Sequence, residues 1–204
     1  MNINQCWYLG VRGITLLAIC LSVQTRAFGD LIIDVAEVGP NVVATFSGSL
    51  DLTGLTLDLT GSASGGVSGA GGLGATIVSG DRDLEPVDIY TGLVSFPAAI
   101  GPGEDFFNGF FNTGDVGVGV QTFTDGPTPT GRVFVPAGYE SGDPLSATTT
   151  FFNQTIDGLG LAGGDFVWQL PADSALVTIA VPEPSSLAFI VGSCFAFFLK
   201  RRKS

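Results

Sequence analysis

Between residues 28 and 181, Gly, Pro, Thr and Val recur so often that no window of a dozen residues supports a soluble helix. The same stretch is instead divided into short β-branched and aromatic segments separated by clusters of Gly, Pro, Asp and Asn. Strands are expected at Leu31–Val38, Val42–Leu52, Leu55–Leu59, Leu73–Ser79, Val87–Leu93, Asp115–Gln121, Arg132–Val135, Ala147–Phe152, Asp165–Leu170 and Leu176–Val181. Gly39-Pro40-Asn41 reads as the turn of a hairpin joining the first two. Many short strands at this spacing predict an all-β fold, an antiparallel β-sandwich or jelly roll.

Composition narrows the chemistry. The chain has 204 residues, 19 Asp plus Glu, 8 Lys plus Arg and no His. The lack of His removes His-based nucleophile systems and His-ligated metals. Few cations against many carboxylates argue against binding nucleic acid. Residues 28–181 hold 18 of the acidic residues against two basic ones, Arg82 and Arg132, and contain no lysine. Cys6, Cys20 and Cys194 all lie outside this region, so it has no disulfide and must be held by burial.

The two ends read as addresses rather than as parts of the fold. Arg12 precedes a ten-residue apolar run, Ile14–Val23, and Thr25-Arg26-Ala27 offers a small residue at each cleavage-site position. Residues 1–27 are therefore expected to be a signal peptide for the Sec export machinery, cleaved between Ala27 and Phe28. At the other end, Val181-Pro182-Glu183-Pro184 leads into an apolar run at 185–199 and then Lys200, Arg201, Arg202 and Lys203. Fifteen helical residues span about 22 Å against ~30 Å of bilayer hydrocarbon, a marginal transmembrane segment. The basic tail would stay cytoplasmic, leaving the acidic region outside. Proline at 182 and 184 would stop the helix and hold the junction extended.

This order of Pro-Glu-Pro, short apolar span and basic tail over 182–204 resembles the PEP-CTERM sorting signal of Gram-negative-type bacteria. The resemblance implies transient residence in the inner membrane, cleavage near Pro182-Glu183-Pro184 by an exosortase, and delivery to the cell surface or an extracellular polysaccharide matrix. Phe134–Ser146 (FVPAGYESGDPLS) is similar to a stretch common in PEP-CTERM-bearing proteins, and so are the Thr148–Phe152, Leu159-Gly160-Leu161 and Phe166-Val167-Trp168 segments after it. The loop after the Trp strand is shorter here, Gln169–Ala172. Leu170–Ser174 has a superficial likeness to a Gram-positive sorting motif but lacks its Thr-Gly pair.

Other motifs point less far. Gly69-Ala70-Gly71-Gly72-Leu73-Gly74 fits a dinucleotide-binding spacing, but a strand rather than a helix is expected behind it, so 61–74 reads as a flexible loop. Asp81, Asp83, Glu85 and Asp88 cluster on a turn and form a candidate Ca²⁺ site, with Glu104, Asp105 and Asp115 as further donors. The alternative for this run is a solvated turn with Arg82 in an ion pair. Phe106-Phe107 and Phe110-Phe111 flank Asn108-Gly109, a hairpin signal that would expose some rings to a sugar face. The expectation is thus a non-enzymatic exported surface or matrix protein without a resident cofactor. A carbohydrate- or Ca²⁺-binding adhesion module is the alternative, with exopolysaccharide as a partner. A hydrolase would need two convergent carboxylates of differing pKa.

Overall fold

The computed structural model describes residues 30–70, 74–124 and 128–181. The signal peptide, its Ala27–Phe28 junction, Gly71–Leu73 and the sorting segment at 182–204 lie outside the described residues. Those described are all-β, with thirteen strands and no helix.

The strands are β1 (Leu31–Val38), β2 (Asn41–Gly48), β3 (Thr56–Ala63), β4 (Gly66–Ser68), β5 (Thr76–Val78), β6 (Glu85–Thr91), β7 (Phe107–Asn108), β8 (Phe111–Gly114), β9 (Gly119–Phe123), β10 (Thr130–Pro136), β11 (Leu145–Phe151), β12 (Gly164–Gln169) and β13 (Ser174–Ala180). They form two sheets. The first runs β12-β13-β1-β2-β11-β8, and the second runs β3-β6-β10-β9-β5-β4-β7.

Alternation explains how the sheets share a core. In β13, Ala175, Val177 and Ile179 point inward, and in β1 so do Leu31, Ile33 and Val35. These join Val42, Ala44 and Phe46 of β2 and Val120, Val133 and Val135 of the second sheet in one hydrophobic cluster. Trp168 and Phe151 are its largest members with Phe46, and full burial of such a side chain contributes about 1.5–3 kcal/mol. The indole N–H of Trp168 finds no acceptor among the described residues, so this ring stabilises through its area alone.

The structure corrects several expectations. β1 and β13 pair parallel, Leu31 beside Ala175 through Ala36 beside Ala180, so the first sheet is not purely antiparallel. Inward and outward alternation is the same for either partner direction, which is why sequence periodicity missed it. The glycine-rich 61–74 stretch is not simply a loop. β3 runs to Ala63, and β4 is fully buried between β5 and β7. Glycine is needed there because a Cβ at Gly66 would strike the Phe107 carbonyl and the Phe106 ring. Asn108-Gly109 is not a hairpin turn either: β7 pairs with β4 in the second sheet, and β8 pairs with β11 in the first. The chain changes sheet at Gly109, whose N–H donates to the Gly65 carbonyl at 3.1 Å. The strand expected from Asp115 begins at Gly119, after left-handed turns at Gly114 and Gly117.

Candidate functional site

At one end of the first sheet, side chains and loops are tied to one another. Leu50 N–H donates to the Tyr139 hydroxyl at 2.8 Å, and that hydroxyl faces the carbonyls of Leu50 at 3.1 Å and Asp143 at 2.9 Å. Ser141 Oγ accepts from Leu52 N–H at 2.9 Å, and Gly142 N–H donates to the Leu50 carbonyl at 3.0 Å. The Phe134–Ser146 stretch is therefore a clamp that holds the segment after β2. Burial raises the Tyr139 pKa above its ordinary value, and the backbone donors work against that rise.

Beside this clamp, the Asp30 and Asp173 carboxyls both accept from Ser174 N–H and influence each other's ionisation. Asp173 accepts from Asp51 N–H at 3.0 Å and Ser174 N–H at 2.8 Å. Asp30 Oδ1 accepts from Ser174 Oγ–H at 2.7 Å and Ser174 N–H at 3.1 Å. Burial pushes Asp173 up to about 6, helped by its Asp30 neighbour. Asp30 is held below its ordinary value, first by Asp173 and then by Ser174. A shifted pair of this kind is where acid–base chemistry is sought. Here backbone donors from two segments, at Asp51 and Ser174, occupy the carboxylate oxygens, so the pair joins the starts of β1 and β13 to the loop after β2.

The opposite end of the sheet is different. Phe110 and Phe152 rings lie 6.1 Å apart and tilted at 38°, and both are about half exposed, as is Phe111. The Arg82 guanidinium lies 5.1 Å from the Phe110 centroid, a cation–π contact rather than the ion pair of the solvated-turn alternative. Asp81, Arg82, Asp83, Gly109 and Phe110 line a cleft of about 290 Å³. An aromatic face with one cation and flanking carboxylates suits a sugar ring or a lipid headgroup.

The four carboxylates of the candidate Ca²⁺ site are not brought together. Asp81 Oδ1 accepts from Asp83 N–H at 2.8 Å within its own turn. Glu85 begins β6, opposite Ala63. Asp88 accepts from Thr60 Oγ1–H at 2.6 Å and Gly138 N–H at 2.9 Å, and these bonds, Gly138 first, hold its pKa low. Asp115 accepts from Ser146 N–H at 2.7 Å. Among the described residues no three acidic side chains converge as metal ligands.

Among the other aromatic residues, Trp168 is fully buried and Tyr139 belongs to the clamp. Phe106 and Phe107 are half-buried, while Phe110 and Phe111 face out. Sequence reasoning missed Phe152 as their partner. Its signal lay in strand alternation, since Phe151 points inward and the next residue outward. No family model matches the chain, and no curated protein or solved structure is similar to it.

Proposed function

We propose that this chain is an exported bacterial surface or extracellular-matrix protein. Its 182–204 segment would act as an exosortase sorting signal, and its β domain is non-enzymatic cargo. In this reading the two sheets stack face to face as a sandwich, supported by the single cluster that draws on both. The signal peptide passes the chain through the Sec machinery, and the apolar 185–199 run holds it in the inner membrane. Cleavage near Pro182-Glu183-Pro184 then releases it.

The observation that carries the proposal is the tripartite order of 182–204, joined to a domain that ends where that signal would need it to end. β13 closes at Ala180, and Val181 is 55% exposed, so the chain has already left the core by the residue before the Pro-Glu-Pro motif. An acidic, lysine-free domain beyond a basic cytoplasmic tail agrees with the expected orientation. The domain's charge of about −16 would keep it soluble after release.

The test compares cells with and without the exosortase gene. Export in the first should yield protein lacking 185–204, and loss of the enzyme should leave the full-length chain in the membrane fraction. Full-length chain in both strains would make the segment a permanent anchor and refute the proposal.

A further inference from the structure

The strand register aligns the exposed aromatic group with the point where the chain leaves the fold. Ala180 of β13 lies beside Ala36 of β1, Ala36 opposite Val43 of β2, Val43 opposite Thr150 of β11, and Thr150 opposite Phe111 of β8. These five positions point away from the core and form the last outward row of the first sheet. The next outward row is polar: Thr178, Asp34, Thr45, Thr148 and Thr113. At the tips beyond the first of these rows stand Val38, Phe110, Phe152 and Val181. With Phe111 they make five of the eleven large apolar side chains exposed among the described residues.

Resting on the sorting reading above, we propose that this aromatic end is a lipid-contact surface that seats the domain on a zwitterionic bilayer while the 185–199 segment is embedded. Pro182–Pro184 can span at most about 10 Å, little more than the ~6 Å headgroup layer beside each face of the hydrocarbon core. A 15-residue span, short for the bilayer, draws the domain closer still. The β13 end of the sheet is thereby held at the headgroups. Phe111 lies four strand spacings away, roughly 19 Å along the same end. The tether and the phenyl rings are two separated supports, which set the strands upright on the membrane and present the Pro-Glu-Pro junction at a fixed height.

Charge selects the type of lipid. Arg82, over the Phe110 ring, can meet a lipid phosphate, while Asp81 and Asp83 beside it and the net charge of the domain disfavour an anionic surface. Glu37, also at this end, is engaged by the Ile156 N–H at 2.9 Å. Exposed apolar rings at the boundary between water and lipid are favourable in a way that they are not in water alone.

The test uses the full chain in phosphatidylcholine vesicles, with and without bromine on the acyl chains. Phe111→Trp places a reporter at the aromatic end, and Phe152→Trp provides a second if the first misfolds. Ile32→Trp, near the other end of β1, is the control. After subtraction of the parent emission, the reporters at 111 and 152 should be quenched at least twofold by brominated lipid, with the control unchanged. Chain that floats with the vesicles but shows no quenching at either reporter overturns the lipid contact and leaves the sorting reading standing. Chain that does not float with them removes the tether and overturns both. Emission that shifts with surface polysaccharide and not with lipid assigns the rings to a glycan instead.

Discussion

The two ends of the first sheet are built from the same strands and solve opposite problems. At the Asp30 end, carboxylates, a tyrosine hydroxyl and backbone amides are consumed by one another, and the loops are closed. At the Phe111 end, apolar side chains stand exposed, and Phe110 is met by an arginine. A domain with neither disulfide nor lysine thus uses its acidic groups as internal acceptors at one end. At the other, where the sequence runs on to an apolar segment, it leaves apolar surface uncovered.

Substituting glycine at each end should separate them most strongly. Gly48 ends β2 at φ +123°, and a Cβ there would collide with the Asp30 carbonyl. Gly48→Ala should cost about 3 kcal/mol or more in denaturant unfolding. Gly39, in the β1–β2 turn at the other end, has φ +63° and open space around its Cβ position. Gly39→Ala should cost about 1 kcal/mol. Equal costs would break the contrast between a closed and an open end.

Tyr139→Phe tests the clamp itself. It removes the acceptor for Leu50 N–H and the donor to two carbonyls, and should destabilise by about 1–3 kcal/mol in the same measurement. A neutral result would make the FVPAGYESGDPLS loop dispensable to the fold.

The Asp30–Asp173 pair predicts a pH dependence of definite sign. Asp173, raised from 3.8 to about 6, adds stability that is fully present below 3.8 and is lost as pH rises through about 6. Asp30, held low, works the other way and loses its contribution only as pH falls through its depressed value. Asp173→Asn should therefore flatten the fall in melting temperature between about pH 4 and pH 6 relative to the parent. An unchanged slope would show that burial beside Asp30 does not raise Asp173.

The smallest effect is expected at the aromatic end. Phe110→Ser with Phe152→Ser should change stability in solution by no more than about 0.5 kcal/mol per site, because neither ring belongs to the core. A cost of several kcal/mol would make these rings structural and weaken their reading as a contact surface.

The sequence revealed the strands better than it revealed their partners. β1 was legible to the residue, since LIIDVAEV is rich in β-branched residues and Gly39-Pro40 ends it. The parallel β1–β13 seam was not, because neighbours 144 residues apart leave no trace in local periodicity. β4 was hidden for a different reason. Its Gly66 is required by close backbone approach, and glycine reads as loop unless the approaching strand is known. The Asp81–Asp88 run misled in the reverse sense: clustering in sequence placed Asp81 in a turn and Asp88 on a strand with separate partners. For the aromatic site, Phe110 and Phe111 could be suspected from composition, but Phe152 and Arg82 reach them only through folding.

The most direct test of the account is the intact mass of the protein recovered from outside the cell. A mass ending between Val181 and Pro184 is the predicted result. A mature chain that still carries Lys200-Arg201-Arg202-Lys203 would contradict it.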